Sequence, residues 1–444
     1  MRRSRVFGGC LLALTLAAAP ARAISLGAGL SVVARSGREL AVAASEEQVL
    51  LSAPVIAGSA RKPTIDVYAR ETVLAEQPRT IVNSQSFPIA DSESFSFGVK
   101  VRQLLYDFGK TDAAVRAATL DTQAKHADTA LVRNRSALRF IIGYLRLRRA
   151  EQLLSLQQVE VTRFEAHRDD TRSLLEEGTI TENNLLEAEV RLADAVQRRL
   201  QAENARALAA AQVNSLLAQP LGQPVTTEEI PEPAAGGAQR GLEEAFAAAA
   251  KERSEFKVVQ GRIAAAQARR AAVNTEFYPQ LYLAGGYDFT QNEFTVHEGN
   301  WAVQAGVDLN LFAGGVTEEK LRQKDRELQL LERSREQLLD AVQLEVQEAF
   351  LSLQTSRARV GATEKAVEQA QENLRLQRLR YTEGVGTGTD VLDAVSLATT
   401  AEQNFLNARH DVSEARARLG YAVGNDLVAA WGGDATQHSQ GGRP

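Results

Sequence analysis

Two carboxylates near the C-terminal end are the first residues whose spacing suggests chemistry. Asp390 and Asp393 stand three positions apart at the start of a predicted helix, in YTEGVGTGTDVLDA, residues 381–394. That spacing puts both on one helix face, and the positive end of the helix dipole favours their charged form. Like charges so close together repel each other and attract cations. Simple capping of the helix start is the competing role, since acids are common there. The glycines just before them, Gly384, Gly386 and Gly388, resemble a phosphate loop only superficially. They follow a helix instead of a strand and have no Lys-Ser/Thr after them, so they read as a turn. The five histidines (126, 167, 297, 410 and 438) lie too far apart in sequence to suggest ligand spacing. No nucleophile is paired with a base, so the sequence predicts neither catalysis nor a cofactor.

The chain that must position these residues has 444 of them. It opens with a basic start, an apolar run from Val6 to Ala19, and Ala21-Arg22-Ala23 as a small-residue cleavage site. This predicts a secretory signal over 1–23, with the mature chain beginning near Ile24. Cys10 lies inside the apolar run, a poor place for a lipid-attachment cysteine, and no other cysteine follows. Removing the signal takes away four arginines and no acid, so a formal charge of −5 becomes −9. That balance argues against a nucleic-acid partner. No later segment is expected to cross a bilayer as a helix, so a membrane crossing would have to use strands.

The chain is written twice. LLYDFGK (104–110) returns as NLFAGGV (310–316), with Gly109 and Gly315 separated by 206 positions. The same offset aligns Glu177-Gly178 with Glu383-Gly384, and Asn184 and Glu187 with Asp390 and Asp393. Upstream the offset is 216, as for Pro63 and Pro279, so the first copy holds ten extra residues between its two strands. The predicted copies span 24–218 and 242–424. Each contains a helix (26–60, 242–272), a β-hairpin (64–106, 280–312), a very long helix (110–176, 316–382) and a return helix (185–218, 391–424). A Pro- and Gly-rich linker occupies 219–241, and a mostly disordered tail is expected over 425–444, polar from Gly432 onward.

The long helices carry apolar rows of period seven: Phe140, Leu147, Leu154 and Val161, matched by Val346, Leu353, Val360 and Val367. Such a row must pack on a neighbouring helix and supercoil. At 1.5 Å per residue each rod would extend roughly 100 Å. The strands alternate: Phe95, Phe97, Val99 and Val101 on one face, Ser96, Gly98, Lys100 and Arg102 on the other. A half-buried soluble strand looks like this, and so does a membrane strand between lipid and water. Aromatic residues tip the balance, because 14 of the 25 fall within 62–108 and 277–312, where a barrel would need its girdles. Four strands cannot close a barrel and would leave two open edges. Three protomers would supply twelve strands, an even barrel number, above a tube of helices. The expected fold is therefore long coiled-coil helices joined to a shared membrane β-barrel. A periplasmic coiled-coil adaptor or scaffold protein is the alternative, though neither requires two aromatic hairpins at matched positions.

The duplication, the L-[FY]-x-x-G junctions at Gly109 and Gly315, and the 381–394 motif together resemble the TolC family of outer-membrane efflux ducts. The likeness covers essentially the whole mature chain. It implies a homotrimer with a twelve-stranded barrel in outer-membrane lipid and an α-helical tunnel through the periplasm. It also implies a periplasmic adaptor and an inner-membrane transporter, in an efflux pump or a type I secretion system. Asp390 and Asp393 match an aspartate pair lining the family's periplasmic entrance, so a trimer would carry two stacked rings of three carboxylates. Tyr381 matches an aromatic latch beside the Gly384 turn. Two positions depart from the pattern: Gly386 stands where an arginine links neighbouring helices, and Asn184 where the first copy has an aspartate.

Overall fold

A stretch with no proline and a single glycine has little reason to stop being helical, and the two longest such stretches set the scale of the molecule. The computed structural model describes residues 22–229 and 241–432. In chain order it places β1 (Arg22–Ile24), α1 (Leu26–Ser36), α2 (Arg38–Leu51), α3 (Ala53–Gly58) and β2 (Thr64–Val73). There follow β3 (Arg79–Val82), β4 (Gln85–Pro88), β5 (Glu93–Tyr106), α4 (Lys110–Glu176), α5 (Glu182–Leu216) and β6 (Val225–Thr227). The second copy supplies α6 (Leu242–Glu252), α7 (Ser254–Asn274), β7 (Gln280–Thr290), β8 (Gly299–Asp308), α8 (Val316–Thr382) and α9 (Gly388–Ala422), and α10 (Leu427–Trp431) closes the chain.

Helices α4 and α8 are each 67 residues long. Their period-seven rows are buried or half-buried throughout, from Phe140 and Val346, both fully enclosed, down to Val161 and Val367. Helix α4 packs on α5 and α9 along one part of its length and on α1–α3 and α7 along the rest. Helix α8 packs on α9 and then on α6 and α7. Each long rod is thus flanked by a return helix and by the helices that open a copy. Their core is made of Leu30, Phe140, Tyr144, Leu147 and Val213 in the middle of the rods, and of Phe164, Val391, Leu392 and Val395 towards the turns.

The two hairpins form one antiparallel sheet in the order β2-β5-β7-β8. Register pairs Val67 with Val99, Val99 with Tyr287 and Tyr287 with Trp301, so one face is apolar across all four strands. The other face aligns Asp66 with Lys100 and Tyr68 with Gly98 and Asp288.

Several expectations need correction. The predicted helix over 26–60 is three helices. Gly37, with an extended ψ of 135°, separates the first two, and Pro54 opens the third. By length and composition 26–61 is also apolar enough to cross a membrane. Broken into three pieces and packed on α4, it serves as one wall of the helical layer instead. The insertion in the first copy is not a plain loop: β3 and β4 pair there, turning through Asn83 and Ser84 at positive φ. Strand β8 stops at Asp308, short of Phe312. The return helices open three residues early, because Thr181 and Thr387 are their N-caps.

The interval 219–241 is partly structured, since β6 pairs in parallel with β1. The Tyr144 hydroxyl bonds the carbonyls of Ile24 and Glu228 at 2.9 Å, and the Glu151 carboxylate accepts from Thr227. The last segment is ordered to 432: Leu427 is fully buried against α1 and α4. Most of the expected signal, 1–21, and positions 433–444 lie outside the described residues.

Candidate functional site

The candidate site is the end of the rods where α4 turns into α5 and α8 into α9. Both turns begin with a glycine in the left-handed region, Gly178 at φ +75° and Gly384 at +71°. Their helices close with paired backbone bonds, Thr179 N to Leu174 O at 3.0 Å and Val385 N to Arg380 O at 2.9 Å, a glycine-ended C-cap. The next helix then starts four residues later in each copy.

At that start the two copies diverge. Thr387 caps α9: its hydroxyl accepts from Asp390 N at 3.2 Å while the Asp390 carboxylate accepts from Thr387 N at 3.2 Å. This reciprocal capping box satisfies two otherwise unpaired donors. The bonds from Thr387 hold the Asp390 carboxyl below the usual range. In the first copy Asn184 occupies the equivalent place and accepts from the Thr181 hydroxyl at 2.7 Å, so no box closes there.

Asp393 is two-thirds exposed and faces Arg191 of α5 at 3.3 Å. One residue type over, the Glu187 carboxylate accepts from the Thr389 hydroxyl at 3.2 Å. The two turns are therefore tied to each other through α5 and α9, by an ion pair and by a hydroxyl-to-carboxylate bond. The aspartate pair shares one helix face, but its members have separate partners: Asp390 its own helix end, Asp393 a neighbouring helix.

Tyr381 lies on the inner side of the turn. Its ring sits 5.4 Å from that of His167, and its hydroxyl is 3.4 Å from the Thr171 hydroxyl. His167 is nearly inaccessible, and burial lowers its pKa. A Cβ at Gly388 would lie 3.7–3.9 Å from both rings, ordinary van der Waals contact, so this position has room for alanine. At Gly386 a Cβ would crowd the Arg380 backbone at 3.1 Å, so this position has no room for a larger side chain without a shift. Sequence reasoning left out Arg191 and His167. Arg191 lies one helical turn beyond Glu187, the spacing that puts both on the α5 face carrying the contacts to α9.

The strand-to-helix junctions are built on Gly109 and Gly315, at φ +92° and +81°. Asp107 caps the first, accepting from Thr111 N at 2.8 Å and Gly109 N at 3.2 Å. Its counterpart in the second copy is Ala313, where no side chain can do the same. Among the described residues no cluster of His, Cys, Asp and Glu is arranged to hold a metal ion.

Comparison with known proteins agrees with this geometry. Nodulation protein T of Rhizobium leguminosarum bv. viciae is 21% identical over 332 residues, 73% of this chain and 68% of that protein. A probable efflux pump outer membrane protein, SepC of Pseudomonas putida, is 25% identical over 176 residues, 39% of this chain and 37% of its own. The solved outer-membrane channel OprN superposes with a TM-score of 0.78 at 18% identity, covering 91% of this chain and 90% of its own. VceC of Vibrio cholerae gives 0.74 at 20% identity, covering 90% and 96%. The sequence pattern of the outer membrane efflux protein family matches residues 30–219 and 246–425, one stretch per copy. This chain belongs to the outer membrane efflux protein family.

Proposed function

We propose that the chain is one third of a passive duct that carries solutes from an inner-membrane transporter, through a periplasmic adaptor, across the outer membrane. The observation that carries this reading is the pair of open edges. β2 and β8 end the sheet with no partner strand among the described residues. The edge strands are also apolar and exposed, with Val67 at 74% and Val303 at 80%. Such edges ask for pairing. The helical layer is open on the same two sides, through Val190, Leu200 and Leu208 of α5 and Leu330, Leu344 and Leu351 of α8. Different surfaces on the two sides make a heterologous contact, which closes into a ring. Three copies give twelve strands.

Aromatic rings support a barrel in lipid. One group, Phe97, Phe289, Tyr287 and Trp301, and a second, Tyr106, Phe108 and Tyr278, cluster at centroid distances of 4.8–6.2 Å. From Phe97 to Tyr106 the strand rises about 30 Å. With a tilt of ~40° that leaves about 23 Å along the membrane normal, close to the apolar band of an outer-membrane barrel. The entrance acids at the far end of the rods would then meet the cargo first.

The test is reconstitution. Purified protein in planar bilayers is expected to give discrete conductance steps, and the detergent-solubilised particle a trimeric mass. A monomeric particle without conductance would overturn the reading.

A further inference from the structure

A barrel lined with tyrosine has to put the rings somewhere, and this sheet does so in one repeated way. Its polar face carries Tyr68 on β2 and Tyr282 on β7, and the residues directly across from them on the neighbouring strands are Gly98 and Gly306. In both places the ring lies over the glycine. A Cβ at Gly98 would come within 2.7 Å of the Tyr68 ring, and the three atoms nearest to one at Gly306 all belong to the Tyr282 side chain, within 2.8 Å. Each ring is also covered from above. Lys100 Nζ stands 4.7 Å from the Tyr68 centroid, and the Arg102 guanidinium 4.3 Å from that of Tyr282. One ring and one cover are held in turn: Tyr68 donates its hydroxyl proton to Asp288, and Arg102 bonds Asp308 at 3.2 Å. Around them the same face is small, with Ala284, Gly286 and Ala302. A cation over a ring is attracted to its π face, which favours the flat position over a free rotor.

We propose that these two tyrosine–glycine pairs set the bore of the duct where it crosses the membrane, and so the size of solute that leaves it. Laid flat by a missing Cβ and a covering cation, the rings keep the lumen wide. Lifted, each would stand across it, and three copies would raise six. The inference rests on the barrel reading above, in which the polar face lines the lumen. Gly306 is the place to test it, because a side chain there meets the Tyr282 ring first and no backbone atom as closely. At Gly98 a Cβ would also press on the Tyr287 carbonyl oxygen at 2.7 Å and disturb the sheet itself.

The experiment measures polymer exclusion in planar bilayers. Poly(ethylene glycol) of graded mass is added to one chamber at a time, so that the barrel mouth is probed apart from the helical entrance. Gly306→Val is expected to lower the largest polymer mass that enters from the barrel side and to leave the entrance side unchanged. Gly306→Val with Tyr282→Ala should restore the wild-type cut-off. An unchanged cut-off in an assembled Gly306→Val trimer, or a lowered one that Tyr282→Ala does not restore, overturns the proposal. If Gly306→Val fails to assemble, Arg102→Gln takes its place with the glycine intact. The uncovered ring should then lower the cut-off, and adding Tyr282→Ala should restore it; no change overturns the proposal equally. Wild-type protein that makes no channel at all would instead count against the duct.

Discussion

Replacing Arg253 should damage the second copy more than any other change to a charged side chain between its helices. Arg253 sits at the break between α6 and α7 and is only 5% exposed. Its guanidinium donates to Glu255 through two nitrogens, at 2.5 and 3.2 Å, to Glu345 of α8, and to the Ala422 carbonyl at the end of α9 at 3.4 Å. The Tyr421 ring lies 5.1 Å away. Burial works against the charge, but the two carboxylates more than offset it and hold the guanidinium protonated. Arg253→Ala leaves Glu255, 16% exposed, facing Glu345, 42% exposed. Breaking a buried pair costs about 3–5 kcal/mol, and hydration of the half-exposed Glu345 brings the expectation to about 3 kcal/mol. Arg253→Lys should recover less than half of that, because an ammonium cannot fork between two carboxylates.

The first copy supplies a control. The positions equivalent to 253, 255 and 345 are Gly37, Glu39 and Arg139, and there the Arg139 guanidinium pairs with Glu39. The charges are exchanged between helices. Glu345→Arg alone would set two guanidiniums together, whereas Glu345→Arg with Arg253→Gly rebuilds the first copy's arrangement and should recover most of the loss. Apparent unfolding midpoints of the detergent-solubilised protein, read by circular dichroism at one scan rate, provide the assay, since unfolding of such a protein is governed by rate. An Arg253→Ala midpoint within error of wild type would refute the argument, as would a double variant no better than Glu345→Arg.

Val303→Arg, on the apolar sheet face, should cost roughly 2–4 kcal/mol if it sits near the bilayer midplane, and Gln304→Arg on the polar face little; equal yields of folded trimer would count against the assigned faces. His410, buried beside Gln152 and facing Arg149, Arg148 and Arg409, has its pKa lowered to about 4, chiefly by burial. A depressed value means the folded state favours the neutral ring, so this contribution is whole above about pH 6.5 and is lost as pH falls towards 4, by up to roughly 3 kcal/mol. His410→Gln should flatten the stability–pH curve over that window, and an unaltered curve would remove His410 from the account. Asp390→Ala with Asp393→Ala should weaken cation selectivity and block by trivalent cations in single channels. Asp393→Ala alone should show the smaller part of that loss, because Arg191 already offsets its charge while the capping box leaves that of Asp390 in place; unchanged selectivity in the double variant would leave the pair a structural role only.

Much of the architecture was readable from spacing. The constant offset of 206 located the turns and junctions, and period seven located the rods, because both signals accumulate over many residues. What escaped was decided by single residues. Gly37 and Arg253 break segments that otherwise read as continuous helix, and Pro54 opens a further piece in the first copy. The β3–β4 hairpin depends on Asn83 and Ser84 tolerating positive φ, a property of two side chains within a ten-residue insertion. Leu427 opens the short apolar run LVAAW, and only the position of α1 makes it core. At the turns the aspartate pair was visible, but its partners were not. Arg191 lies 202 positions from Asp393, and nothing in a local window joins them.

The two copies show how a duplicated chain builds a tube whose parts are not interchangeable. Where both copies need the same backbone path they keep the same residue, glycine at 109 and 315, and at 178 and 384. Where they need the same interaction they keep the chemistry and exchange the partners, as Glu39 with Arg139 and Arg253 with Glu345. Where they face different surroundings they diverge: Asp390 closes a capping box and Asn184 does not, while Asp107 caps a junction that Ala313 leaves bare. Divergence thus gathers at both ends of the long helices, at the barrel junction and at the entrance turn, where the two copies lie at different places on the wall. A cap is worth about 1 kcal/mol, so α9 starts on a firmer turn than α5. The first-copy turn lacks that box, and its ties to the other copy run through Arg191 and Glu187 instead.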